Sequence, residues 1–186
     1  MSAVIDSMRP LIPLLRWFFG LFFDRSYMTG PLYEGSFAGY RRYLTALWQQ
    51  KVLGFNRAAP WPVSPTVTIS RYDKLHIAPG DIGNLSSPGC YFQNFSANIY
   101  IGTGTYIAPN VGLITANHSR RSLAEHDVGQ DVRIGDECWI GMNAVILPGV
   151  TLGPRTVVGA GSVVTKSFPL GDVTLVGAPA RPIPQQ

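Results

Sequence analysis

Cysteine is scarce. Cys90 and Cys138 are the only two in 186 residues, too few to form a disulfide framework. A chain of this length with 46% hydrophobic residues can bury a core without such staples, and a reducing compartment is expected. Cys138 reads as a small buried hydrophobe. Charge is thin as well, at 14% of residues, with no run of like charge and no low-complexity tract. That argues against a disordered or solvating arm. No apolar stretch is long enough to span a bilayer. The aromatic run from Leu11 to Phe23 is too short, and Arg16 interrupts it. Asp24-Arg25-Ser26-Tyr27 follows it instead of a small-residue cleavage site, so a signal peptide is not expected.

The charge that is present falls unevenly. Residues 1–59 hold seven basic and three acidic residues, whereas residues 60–186 hold eight of each. The whole net charge of +4 therefore sits in the N-terminal third. No nucleic-acid motif accompanies it, and its aromatics are mixed with aliphatic runs, so a nucleic-acid partner is not expected. Two readings of residues 8–25 stay open. They can lie in a membrane interface, with Trp17 and the phenylalanines dipped and arginines at the headgroups, or they can pack on protein. A second segment, Tyr40 to Leu53, sets Tyr40, Tyr43, Leu44, Leu47, Trp48 and Val52 on one helical face, with Gly54 as a stop. Pro60, Pro62 and Pro65 then form a stiff connection. The expected division is a helical extension over 1–59 and a second domain over 60–184.

A period dominates that second part. Ile134, Ile140, Ile146, Leu152, Val158 and Val164 step by six without a miss. Six is neither the helical 3.6 nor the strand period of 2, so it reports a repeat architecture. Gly follows at 135, 141, 153 and 159, and the residue two before each aliphatic is small or medium: Val132, Cys138, Ala144, Val150, Thr156 and Ser162. Such a unit turns a corner after every short strand, and stacked coils bury one aliphatic column, a β-solenoid. Ile101, Ile107 and Leu113 extend the period upstream, and one more step reaches Phe95. His76-Ile77-Ala78 and Asp81-Ile82-Gly83 look like worn versions of the unit. Between Leu113 and Ile134 lie 21 residues, not a multiple of six, which marks residues 115–131 as an inserted loop. It carries His118 and His126, and loops on rigid scaffolds are where chemistry is usually placed.

Residues 134–141 (Ile-Gly-Asp-Glu-Cys-Trp-Ile-Gly), 145–153, 158–166 and the closing Gly177-Ala178-Pro179-Ala180-Arg181 resemble the hexapeptide-repeat acyltransferases. The nearest branch holds the galactoside, maltose, xenobiotic and surface-polysaccharide O-acetyltransferases, and the resemblance covers about residues 90 to 184. It implies an all-β solenoid: a left-handed parallel β-helix, with the short helical extension and the one inserted loop. It also implies acetyl-coenzyme A as donor, a sugar or polysaccharide-precursor acceptor, and a cytoplasmic homotrimer with sites between subunits.

Acetyl transfer from a thioester to an alcohol needs a base for the hydroxyl proton, donors for the oxyanion and a groove for the carrier. Histidine suits the base because its ordinary pKa lies near neutrality. His118 opens the inserted loop, and the resemblance implies that it deprotonates the acceptor, which attacks acetyl-coenzyme A directly. Asn94 falls near the family's acceptor-holding asparagine, although the local spacing departs from it. His126 is either a solvated loop residue or an acceptor contact. Arg120 and Arg121 could meet an anionic acceptor. By the same resemblance Trp139, Gly141, Met142, Ala160, Thr165, Lys166 and Arg181 line the cofactor groove, Lys166 and Arg181 beside phosphates. Met142 stands where relatives often carry serine or glycine, which leaves it a backbone contact only.

Two rivals belong to other classes. A His₃ zinc enzyme of the γ-carbonic-anhydrase kind would need clustered histidines, but His76 is remote from His118 and His126, so no metal is expected. A silent scaffold would have no reason to keep a histidine-bearing loop. N-acylation of an amino sugar stays open.

Overall fold

A computed structural model describes residues 9–30, 33 and 37–184. The chain falls into two compact units, one up to residue 65 and one from residue 66.

Among its described residues the first unit is built on two short helices. Helix α1 (Ile12–Phe19) has Pro13 in its first turn, where a missing N–H costs no bond, and Gly20 N–H closes it on Arg16 O. Helix α2 (Ala38–Ala46) runs on into a π-helical turn, Leu47–Val52. Phe19, Phe23, Met28, Tyr33, Tyr40, Tyr43 and Ala46 form the core, with Ile12, Leu15 and Leu47 packed on it. Phe23 meets Tyr43 edge-on at 5.2 Å between centroids, and burial pushes the Tyr43 phenol far above its ordinary range. Gln50 is fully buried. Its amide donates to Asn56 O and Trp61 O and accepts from Val63 N–H, which ties the helix to the proline-rich connection.

The helical face expected from Tyr40 to Val52 divides in two. Tyr40, Tyr43, Leu47 and Gln50 turn inward, whereas Leu44, Trp48 and Val52 are exposed. The residues stepping by four, 44–48–52, form a second apolar stripe on the side away from the tyrosines. Of the segment 8–25, residue 8 lies outside the described residues. Among the described residues no helix is long and apolar enough to cross a membrane.

The second unit is a coil of short strands. The first turns contain β1 (Thr68–Ile69), β2 (Leu75–Ile77), β3 (Tyr91–Gln93), β4 (Ile99–Ile101), β5 (Tyr106–Ile107) and β6 (Gly112–Ile114). After the inserted loop come β7 (Val132–Ile134), β8 (Trp139–Ile140), β9 (Val145–Ile146), β10 (Thr151–Leu152), β11 (Val157–Val158) and β12 (Val163–Val164). Strands β13 (Thr174–Gly177) and β14 (Ala180–Ile183) close the coil as an antiparallel pair. All other pairings are parallel and join one coil to the next, giving three faces. Face A is β1-β3-β6-β9-β12, face B is β2-β4-β7-β10, and face C is β5-β8-β11-β13-β14. A 3₁₀ stretch, Pro79–Ser86, stands where the first coil would otherwise turn through face C.

All six aliphatic residues of the period are buried, and so are the small residues two before them. Each aliphatic contributes about 1.5–3 kcal/mol by leaving water. Glycine at the corners has a steric cause. A Cβ on Gly135 would lie 2.7 Å from the Gly153 carbonyl carbon, so only glycine lets adjacent coils approach there. Phe95 is not in the column. Phe92, fully buried on β3, takes that place, and Phe95 is exposed, because the corner between β3 and β4 holds more residues than a regular one.

Candidate active site

The inserted loop leaves the corner between faces A and B, after β6, and returns into β7. Gln130 N–H closes its root on Thr115 O at 2.8 Å. Further out, Asp127 N–H donates to Asn117 O and Ser119 N–H to Glu125 O, both at 2.9 Å. These bonds make a narrow antiparallel ladder in which His118 and His126 stand directly opposite. Opposed residues project on one side of such a ladder, and the two imidazole centroids are 4.2 Å apart. Phe95 backs His126 edge-on at 4.8 Å, which accounts for its absence from the core.

His118 Nδ1 lies 2.8 Å from Leu123 O. A carbonyl can only accept, so Nδ1 carries the proton and, in the neutral ring, Nε2 keeps its lone pair. The ring is exposed. A fixed tautomer with an accessible lone pair is what a general base requires.

Sequence reasoning missed Gln93. It is buried, its Oε1 accepts the N–H groups of Thr115 and Ala116 at 3.0 Å, and its Nε2 donates to Ala116 O at 2.9 Å. It thereby fixes the backbone where the loop leaves the coil, two residues before His118. The signal for it is a glutamine at the end of a strand whose inward neighbours are otherwise apolar.

Asn94 is wholly buried, with its amide spent on one backbone unit. Oδ1 accepts Arg71 N–H at 2.9 Å and Nδ2 donates to Arg71 O at 2.6 Å. It fastens a corner and offers nothing to an acceptor. His76 is also engaged, stacked on Tyr100 at 4.4 Å and donating from Nε2 to Asn98 Oδ1. The Arg133 guanidinium covers the other side of Tyr100 at 3.9 Å. Asp131, at the loop's end, accepts from Asn98 N–H and pairs with Arg133; these hold its carboxyl below the ordinary range. Among the described residues no three His, Cys, Asp or Glu side chains gather as a metal site would require. Burial pushes both thiols up, and Cys138 donates to Gly153 O, so neither is poised as a nucleophile.

The residues named for the cofactor spread along the C-terminal coils. Trp139 is exposed on face C, in register with Tyr106 and Val157. Gly141 and Met142 turn the corner from face C to face A, and Ala160 occupies the same corner one coil on. A Cβ on Gly141 would lie 2.6 Å from Ala160 N, so the coil itself demands that glycine. Met142 accepts Gly161 N–H through its carbonyl, leaving its side chain exposed. Thr165 and Lys166 are exposed at the A-to-B corner, two coils on from the loop, and Arg181 is exposed on β14 opposite Val176. Face A thus separates His118 from Met142 and Ala160. A groove of about 450 Å³ runs along the remaining corner, between faces B and C, where His76, Gly102, Asp136 and Pro154 line it. It holds none of the named residues.

Residues 131–166 match the family described as bacterial transferase hexapeptide (six repeats). The match covers β7 to β12 of the solenoid. Nodulation protein L of Rhizobium meliloti (strain 1021) is 44% identical over 77 residues, 37% of this chain and 42% of that protein. Galactoside O-acetyltransferase of Escherichia coli (strain K12) is 34% identical over 108 residues, 51% of this chain and 46% of that one. The chain thus spans less than half the length of these two relatives. A galactoside acetyltransferase solved in complex with coenzyme A matches at 25% identity and a TM-score of 0.55, covering 100% of this chain and 84% of that one. The coil described above is accordingly a left-handed parallel β-helix.

Proposed function

We propose that the protein is an acetyl-coenzyme A-dependent O-acetyltransferase acting on a sugar hydroxyl, with His118 as general base. The observation that carries this reading is the bond from His118 Nδ1–H to Leu123 O, which leaves Nε2 as the proton acceptor. The relatives add a substrate class: one is named for a galactoside, and the galactoside acetyltransferase structure that matches holds coenzyme A.

The step balances without a further reactant. Nε2 takes the acceptor hydroxyl proton as that oxygen attacks the thioester carbonyl. The tetrahedral oxyanion collapses, the carbon–sulfur bond breaks, and the imidazolium returns the proton to the departing thiolate. Products are the acetyl ester and free coenzyme A. Trp139 and the Met142–Ala160 corner suit a thin pantetheine arm, and Lys166 and Arg181 suit its phosphates. Gly141 shapes that corner without contacting the donor through a side chain. His126, paired with His118 and braced by Phe95, bounds the acceptor side.

Within one chain face A lies between the base and the Met142–Ala160 corner, and exposed apolar residues stand on face A (Tyr91) and face C (Tyr106, Trp139). Both features suit a homotrimer in which a neighbour completes each site. A donor of this kind suits a cytoplasmic reaction.

The test follows release of free coenzyme A thiol from acetyl-coenzyme A across free, oligomeric, lipid-linked and amino sugars. Acceptor-dependent release by the wild type, falling at least about 10²-fold in His118→Ala, is the expected result. Unchanged turnover in His118→Ala removes the histidine from the mechanism, and failure to bind coenzyme A at all removes the transferase reading.

A further inference from the structure

The first unit keeps an apolar surface that its own core does not use. Leu14, Trp17 and Leu21 project outward from α1 and the turn after it, while Ile12, Leu15 and Phe19 face the core. Leu44, Trp48 and Val52 form the outward stripe of α2 and its π-helical turn. Two helices exposing large apolar side chains, a tryptophan among them in each case, mark an interaction surface.

Charge narrows the occupant. Among the described residues from 9 to 65 there are seven basic residues and one acidic residue, Asp24. Asp24 is already engaged, accepting both the N–H and the hydroxyl of Ser26. Arg25, Arg41 and Arg57 are exposed and Arg16 is partly so. A second copy of this unit would bring like charge against like, and the solenoid of another subunit carries no net charge to complement it. An anionic bilayer surface supplies both what the tryptophans and leucines need and what the arginines need. We infer that the N-terminal unit docks on anionic phospholipid headgroups, dipping Trp17, Trp48 and their neighbouring leucines into the interface without spanning it. The inference does not depend on the acetyltransferase reading.

The experiment uses the full chain and two sets of vesicles, one of phosphatidylcholine alone and one with about a third phosphatidylglycerol. Cosedimentation at least about tenfold stronger with the anionic set, weakening as salt rises, is expected. Trp17→Ser with Trp48→Ser, and separately Arg41→Glu with Arg57→Glu, should each abolish that preference while the mass in solution stays the same. These side chains are exposed, so folding is not at stake. Equal partition into both sets, no partition into either, or variants that bind like the wild type overturns the inference. A tryptophan double variant that falls to a smaller assembly also overturns it, because a second copy then covers the stripes. Coenzyme A binding by the solenoid, measured alongside, separates any such failure from failure of the transferase reading.

Discussion

In the proposed mechanism His118 acts through Nε2 while its Nδ1–H stays on the Leu123 carbonyl, so whatever fixes the loop's root bears on that role. The Gln93 side chain does this with three hydrogen bonds to the backbone of Thr115 and Ala116. Asn94, its neighbour, bonds the backbone of Arg71 instead. The two adjacent amides therefore predict opposite phenotypes. Gln93→Leu should lower kcat about tenfold or more, with acetyl-coenzyme A binding little changed, because the ring loses its register while the C-terminal corners do not move. Asn94→Ala should leave the acceptor KM unchanged and cost about 1–3 kcal/mol of stability, because the part-buried Arg71 N–H loses its partner and Arg71 O keeps only Lys74 N–H. Steady-state kinetics and thermal unfolding of both variants decide the matter. A raised acceptor KM in Asn94→Ala would return that residue to the acceptor site. The spacing marks His118 as a candidate, since it opens an insertion in a rigid repeat, and only the resemblance implies its role as base. The sequence could not separate Gln93 from Asn94, because both are buried and which of them reaches the loop's root depends on where the irregular corner begins.

At the level of the element, the six-residue period was legible because each hexapeptide repeats one physical solution: an inward aliphatic, a small buried neighbour and a corner. Where a corner lengthens, as between β3 and β4, counting by six lands on Phe95, and the core residue is Phe92. The amphipathic pattern of α2 misled for a different reason. Tyr40, Tyr43 and Leu47 and the stripe Leu44–Trp48–Val52 are both apolar, and apolarity alone does not say which one the chain buries. Glycine offers a sharper trial of the coil's geometry. A Cβ on Gly135 would press on the backbone of the next coil, whereas on Gly112 its nearest neighbour would be a Val145 methyl at 3.6 Å, an ordinary contact. Gly135→Ala should therefore cost at least about 2 kcal/mol, as overpacking against a rigid backbone does. Gly112→Ala should change stability by no more than about 1 kcal/mol, since β-propensity favours the alanine slightly. Chemical denaturation of the pair checks this, and equal losses would show that coil contact is not what selects glycine.

For the whole molecule, the decisive geometry is the separation of His118 from the Met142–Ala160 corner by face A. If a proposed trimer completes each site from two subunits, an inactive base and an inactive donor corner can rescue each other when placed in different chains. His118→Ala removes the proposed base, and Ala160→Trp fills an exposed corner position without touching the core. Each variant alone should be inactive. Unfolded together in equal amounts and reassembled, they form trimers in which a site needs an intact base from one chain and an intact corner from its neighbour. Random assembly of a head-to-tail ring supplies that pairing about one time in four, so activity should return to about a quarter of wild type. A site contained within one chain predicts none, because every subunit then carries a lesion in its own site. Sedimentation of the mixture belongs beside the assay: a mass of three subunits of 20.3 kDa is expected. Recovery in a trimer would assign the site to the subunit boundary, and its absence in a fully assembled trimer would confine base and donor to one coil.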